Sequence, residues 1–296
     1  MGVFTFLFGE LGFGDYMSAR VTIGMPVYNG AATLSAVLEA LLSQTFKEFV
    51  LLISDNASTD ATEEICQRFM ERDKRISYVR QPENIGAERN FDYVLQHANT
   101  EYFMWAAADD LRSENFLEAN LRFLEENKGY LGSTSPTRFE DGVFDPIGMG
   151  DQTRDEDDPM QRIDNFFGVW HSNGRYYSLF RRDAIKDWRA ADMCFLASDW
   201  FFVMSLLRKG KLKRLDEGFV LLGREGISNG LGIFSRYRKY LIHWAFPFYE
   251  LFVRTFALLR GSGLGVKFRV LWFLFKINFV AVRLQIKFEL KKRAGL

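Results

Sequence analysis

Asp109 and Asp110 stand side by side at the end of an apolar run, Tyr102-Phe-Met-Trp-Ala-Ala-Ala108. Burying one unpaired carboxylate is costly, and two adjacent ones repel each other. Such a pair at a strand end must face water or meet a cation. Mg²⁺ or Mn²⁺ would reverse the local sign, because the ion can bridge a carboxylate and a diphosphate and neutralise the leaving charge. Three more polar clusters follow apolar runs. Tyr28-Asn29-Gly30 follows residues 21–27, Asp55-Asn-Ala-Ser-Thr-Asp60 follows 49–54, and Asn84-Ile-Gly86 belongs to the loop after 76–79. Asp55 is placed to accept a hydrogen bond from a base N–H, although Asp is also a common turn former. Asp199 opens the apolar segment Trp200-Phe-Phe-Val-Met204. An Asp at a helix start is ordinary capping chemistry, worth about 1 kcal/mol.

The elements that would position these residues are legible from periodicity. Leu34, Val37, Leu38, Leu41 and Leu42 recur at helical spacing, with Asn29 or Thr33 as N-cap. Ala61, Ile65 and Phe69 mark a second helix, and Asp60 with Glu63 resembles a capping box. Phe91, Val94, Leu95 and Ala98 mark a third; Ser113 precedes a fourth carrying Phe116, Leu117, Leu121 and Leu124. Strands are expected at 176–180 and 219–222. Strands alternating with helices imply βαβ units and a parallel sheet. Right-handed crossovers then bring the four post-strand clusters to one sheet edge, where open α/β folds bind ligands. The acidic stretch 151–158 is expected to be a solvated loop.

The chain has 296 residues with 38 basic and 38 acidic side chains, enough for one large domain with an appendage. That balance argues against a nucleic-acid partner. Two cysteines, Cys66 and Cys194, and three scattered histidines give no zinc spacing and no disulfide framework, which fits a reducing, cytoplasmic setting. Residues 1–17 form an N-terminal extension without the basic leader and long apolar run of a signal peptide, and Met17 is an alternative start.

From residue 231 the character changes. Trp244, Phe246, Phe248, Tyr249, Phe252 and Phe256 crowd one segment; Phe268, Leu271, Trp272, Phe275, Phe279, Val282 and Ile286 recur at helical spacing in the next. Arg269, Lys276, Arg283 and Lys287 fall on another face, and from Arg260 onward nine basic residues oppose Glu289 alone. Neither segment offers the uncharged run of about 20 residues that a spanning helix needs. An aromatic face beside a basic one is the pattern of a helix lying on anionic lipid. The alternative is a helical appendage packed on the catalytic domain or on another subunit.

Residues from about 20 to 125 resemble the family 2 glycosyltransferases. The resemblance is carried by Val21-Thr-Ile-Gly-Met-Pro-Val-Tyr-Asn29, Ser54-Asp-Asn-Ala-Ser-Thr-Asp60, Asn84-Ile-Gly-Ala-Glu-Arg-Asn90 and Ala108-Asp-Asp110. It implies a GT-A fold, α/β with a mixed, mainly parallel sheet flanked by helices, spanning 18–230 and followed by C-terminal amphipathic helices over 231–296. By the same resemblance Pro26, Tyr28, Asn29 and Asp55 would line the nucleobase pocket, with Asn84, Gly86 and Arg89 on the nucleotide side of the cleft. Asp109 would approach the ribose, Asp110 would hold the divalent metal (Mn²⁺ or Mg²⁺), and Asp199 would be the catalytic base. Arg224 would belong to a late loop closing on the diphosphate. The implied donor is a nucleoside-diphosphate sugar, with uridine expected; the acceptor is a glycan or lipid-linked molecule. The setting is cell-surface polysaccharide or glycolipid synthesis at the inner face of the cell membrane. Two departures stand out: Ala107 occupies a position where many members carry an Asp, and the late loop lacks a frequent His. Rival readings are a catalytically weak nucleotide-sugar-binding module and a polyprenyl-phosphate glycosyltransferase.

Overall fold

A computed structural model describes residues 18–223 and 233–293. Strands β1 (Val21–Val27), β2 (Phe49–Asp55), β3 (Ile76–Arg80) and β4 (Tyr102–Trp105) run parallel in the order β3-β2-β1-β4. Helices α1 (Leu34–Leu42), α2 (Thr62–Arg72) and α3 (Ala87–Gln96) connect them, and α4 (Phe116–Glu126) follows. The expected parallel sheet is therefore present, with the four carboxyl ends on one edge.

Alternation along the strands divides the interior into two cores. Val21, Ile23, Met25, Leu51, Ile53 and Met104 face α1, α2 and α4, whereas Leu52, Phe103 and Trp105 face the other side. Gly24 in β1 makes the second packing possible, since a Cβ there would sit 2.7 Å from the Phe103 ring and 2.8 Å from Val94 of α3.

Beyond β4 the sheet becomes mixed. Short β5 (Leu111–Arg112) precedes β6 (Tyr130–Thr134), β7 (Thr137–Phe139), α5 (Pro159–Phe166), β8 (Leu179–Arg181), α6 (Arg182–Ile185), α7 (Ser198–Lys209), β9 (Lys211–Arg214) and β10 (Val220–Leu222). β8 inserts antiparallel between β4 and β6, and β9 pairs parallel with β6, so that among the described residues the main sheet has seven strands. A second sheet, β5-β10-β7, covers the strand edge beside Asp110.

Three local expectations need correction. The strand expected at 176–180 begins later, because Gly174–Tyr177 is a 3₁₀ turn that stacks Tyr176 on Trp105 with ring centroids 5.0 Å apart. Ser113 does not cap α4; its hydroxyl accepts the Phe219 N–H at 2.9 Å, and Asn115 is the residue preceding the helix. The acidic stretch is not wholly solvated. Asp151 is buried, accepting the Thr137 N–H at 2.7 Å and facing Arg214 at 3.2 Å, while Asp155, Asp157 and Asp158 remain exposed.

The C-terminal region comprises α8 (Ile233–Arg236), α9 (Ile242–Ala245), α10 (Tyr249–Leu258) and the long α11 (Leu264–Arg293). It shares a core with α5 and α7: Phe248, Leu251, Leu259, Val270 and Leu274 are buried with Trp200, Phe202 and Phe166. No described helix is long and apolar enough to cross a membrane.

Candidate active site

Side-chain and backbone hydrogen bonds stitch the loops at the strand edge together. Asn29 takes the left-handed conformation at φ 52°, which Asn tolerates better than most residues. Its N–H donates to Ser58 Oγ at 2.8 Å and its Oδ1 accepts the Thr59 N–H at 2.8 Å. Asn56 then joins the second loop to the third: its Nδ2 donates to Asn84 Oδ1 at 2.9 Å, and its Oδ1 accepts the Ile85 N–H at 2.8 Å. Gly86, at φ 87°, turns the chain into α3. Pro26 is half-buried in β1, while Tyr28 and Arg89 are exposed at this edge.

Asp55 is fully buried. Its Oδ1 accepts the Ser58 N–H at 2.9 Å, and its Oδ2 accepts from Tyr78 Oη and Arg80 Nη1, each at 2.8 Å. Both oxygens are thus engaged within the chain. In this arrangement the carboxylate presents no exposed oxygen to a base N–H. Asn29 and Asn84 likewise spend their amide oxygens on neighbouring loops, so in this arrangement they shape the edge.

The carboxylate pair is held differently. Thr33 Oγ1 donates to the Ala108 carbonyl at 2.7 Å, fixing the loop, and the Gly223 N–H donates to Asp110 Oδ1 at 3.1 Å. A Cβ on Gly223 would lie 2.5 Å from both the carbonyl and a carboxylate oxygen of Asp109, so only glycine lets the end of β10 close on the pair. Asp110 is 4 % exposed, and among the described residues its Oδ2 has no hydrogen-bond partner. Burial pushes its carboxyl up to about 6; the nearby Arg112 guanidinium opposes that rise, Asp109 adds to it, and the Gly223 N–H opposes it. Arg112 is itself buried, with Nη2 donating to the Trp105 carbonyl and Nε and Nη1 unpartnered.

A divalent cation suits this donor set. Asp110 Oδ2 is a buried anionic oxygen that lacks a donor, and Asp109 stands beside it. The described residues contain no group of three His, Cys, Asp or Glu side chains that could hold a metal ion. Remaining coordination would fall to substrate oxygens and water, which is how Mg²⁺ and Mn²⁺ are commonly held.

Asp199 lies half-buried in the first turn of α7, where Asn173 Nδ2 donates to its Oδ2 at 3.1 Å. Burial raises its carboxyl above the usual range; the Asn173 bond and the helix N–H groups oppose the rise. Burial raises the Tyr177 phenol, and the charges of Asp110, Asp109 and Asp199 add to the rise. Neither Asn173 nor Tyr177 was singled out by sequence; Asn173-Gly174 is only a turn signal. Arg224 and its loop lie outside the described residues.

Residues 22–189 match the family model for Glycosyl transferase family 2, more than half of the chain. The chain belongs to that family. Asp199 lies beyond the matched segment. A 110-residue stretch of the chain is 30 % identical to glycosyltransferase GlyG of Streptococcus pneumoniae serotype 4, covering 37 % of the chain and 36 % of GlyG. The chain thus spans well under half of that relative. Among solved structures, Staphylococcus aureus TarS (1–349) in complex with UDP-GlcNAc is similar with a TM-score of 0.63 and 20 % identity, over 85 % of this chain and 70 % of TarS. The mannosyltransferase PcManGT of Pyrobaculum calidifontis, in complex with GDP-Man and Mn²⁺, has a TM-score of 0.58 and 17 % identity, over 94 % of this chain and 76 % of its own. These likenesses establish the glycosyltransferase fold expected from the sequence.

Proposed function

We propose that the chain transfers a sugar from a nucleoside-diphosphate sugar, with uridine the expected nucleoside, to a hydroxyl of a glycan or lipid-linked acceptor. The observation that carries this reading is Asp110. Its buried carboxylate stands beside Asp109 and, among the described residues, has one oxygen without a hydrogen-bond donor. Support comes from the neighbours of the same fold solved with UDP-GlcNAc, or with GDP-Man and Mn²⁺. Asp110 would hold Mn²⁺ or Mg²⁺, with Asp109 beside it toward the ribose; the ion when bound supplies the charge that stabilises a departing diphosphate. Asp199 takes the proton of the acceptor hydroxyl as its oxygen attacks the anomeric carbon opposite the leaving group. One such displacement inverts the anomeric configuration. The raised proton affinity of Asp199 suits a general base. A screen of UDP- and GDP-sugars, scored by released nucleoside diphosphate, is expected to reveal at least one donor turned over in Mn²⁺. Release that persists undiminished in chelator would contradict the role given to Asp110.

The tail adds an interfacial reading. α11 packs through Val270, Leu274, Ile277, Asn278, Ala281 and Gln285, whereas Phe268, Trp272, Phe275 and Phe279 recur at helical spacing and are exposed. At 100° per residue these stripes lie on opposite sides of the helix, with Arg269, Lys276, Arg283 and Lys287 flanking the aromatic one. Arg269 is partly spent on an ion pair with Asp164 of α5, and Lys276 lies over the Trp272 ring at 5.6 Å. The region therefore packs on the catalytic core and keeps an aromatic-basic face outward. That face is suited to the anionic cytoplasmic leaflet, where it would bring the cleft to a lipid-linked acceptor in cell-surface glycan synthesis. Binding to phosphatidylglycerol vesicles should weaken with salt and fall at least about tenfold when Phe268, Trp272 and Phe275 become Ser. Indifference of the intact protein to such vesicles at moderate salt would end this reading.

A further inference from the structure

We propose that a cavity between the segment leading into α7 and the C-terminal helices is an acceptor subsite that holds one neutral sugar ring. The inference rests on the transferase reading and deepens it by giving the acceptor a place and a chemical class.

The cavity, about 160 Å³ in volume, is lined by Asp192 and Leu196 on one wall and by Lys239, His243, Glu250 and Arg254 on the other. α3 braces both walls. Asp92 accepts the Ala190 and Ala191 N–H groups at 2.5 and 2.9 Å, and Glu88, in the first turn of α3, accepts from Tyr237 Oη at 3.2 Å. Only two residues separate Leu196 from Asp199. The first, Ala197, is held at φ 63°, a conformation that a residue with a Cβ keeps only where the surrounding packing dictates the path. One short segment therefore forms a wall of the cavity and delivers the proposed base.

The polar groups of the lining select the ligand. Lys239 and Arg254 are balanced by Asp192 and Glu250, so a polyanion such as a second diphosphate has no net charge to meet. His243 is 5 % exposed, and its Nδ1 accepts the Lys239 and Tyr240 N–H groups at 3.0 and 3.3 Å. The ring is thus neutral, with its proton on Nε2. Among the described residues that Nε2 has no hydrogen-bond partner. Arg254 is similarly short of acceptors: its Nε has no partner either, its Nη1 donates to the sulfur of Met193 at 3.4 Å, and Glu250 stands 3.8 Å away. Buried donors left in this state call for an acceptor. A matching ligand brings oxygens to the histidine and arginine and hydrogens to the carboxylates, without net charge. Sugar hydroxyls donate and accept alike, and a saccharide acceptor supplies them beside the base.

The test is ligand-observed NMR on the full chain, with Mn²⁺ and the better-bound of UDP and GDP present. The probes are the methyl glycosides of glucose, galactose, mannose, rhamnose, N-acetylglucosamine and N-acetylgalactosamine. At least one should bind, and its affinity should fall about tenfold in Arg254→Met, which keeps an aliphatic stem and removes the guanidinium, while the diphosphate affinity holds. A second readout locates the site in wild type, whatever the variant does to folding. Cys194 lines the cavity, whereas Cys66 is buried, so alkylation by N-ethylmaleimide reports on Cys194, and the bound glycoside should slow it several-fold. No glycoside bound, an undiminished affinity in Arg254→Met, or an unprotected Cys194 would overturn the subsite, while diphosphate binding in Mn²⁺ leaves the donor reading standing. Protection by inorganic phosphate and by no glycoside would make the cavity an anion site and overturn the assignment equally. A wild type that binds neither UDP nor GDP in Mn²⁺ would overturn the donor reading, and this inference with it.

Discussion

Asp110→Asn is expected to inactivate the protein while making its ligand-free fold more stable. The stability half follows from linkage. The folded carboxyl sits at about 6, above its ordinary value of 3.8. The folded state therefore binds this proton more tightly than the unfolded chain does, and the stability so contributed is fully present below 3.8 and lost as pH rises through 6. At neutral pH the buried charge costs about 3 kcal/mol, at roughly 1.4 kcal/mol for each pK unit. Asn removes the buried charge and can still accept the Gly223 N–H through its Oδ1. A urea melt at pH 7.5 should show the variant more stable, with the difference vanishing near pH 4. Turnover should fall roughly a thousandfold, since several kcal/mol of charge neutralisation at the leaving group are lost. A variant that is both active and destabilised would contradict the account.

Asp199→Asn separates binding from chemistry. A positioned general base contributes on the order of 10² to 10⁴ in rate, so kcat should fall by about that factor while donor affinity is retained. Asn is isosteric, can still accept from Asn173 and carries no buried charge, so the melting temperature at neutral pH should hold or rise. The raised carboxyl also predicts the pH profile: wild-type kcat should decline as pH falls through a value above the ordinary carboxylate range, because the base becomes protonated. That acidic limb should be missing from the residual activity of the variant. Full turnover in Asp199→Asn would place the base elsewhere. Nucleotide-sugar binding without turnover in wild type would favour a binding module instead.

Local signals made the parallel half of the fold legible. Strand-length apolar runs, each followed by Asn, Asp or Gly and then a helical repeat, determine both the order and the edge at which Asp55 and Asp109 emerge. What stayed hidden depends on long-range pairing. Nothing in the sequence near Asp55 says that Tyr78 and Arg80 will engage it, because they come from the neighbouring strand in parallel register. Tyr177 lies in an aromatic run that reads as a strand, and only the stacking of Tyr176 on Trp105 bends that run into a turn. The tail's aromatic and basic repeats were visible, but its third, buried stripe became apparent only once α5 and α10 stood beside it.

The nucleotide is proposed to bind Asp110 through a divalent cation. The most direct measurement is the affinity for UDP, and for GDP, with Mn²⁺ and with chelator, in wild type and in Asp110→Asn. Wild type should bind its preferred diphosphate at least about tenfold more tightly in Mn²⁺, and the variant should lose that difference. Equal affinity with and without the metal in wild type, or an undiminished metal effect in the variant, would contradict the account.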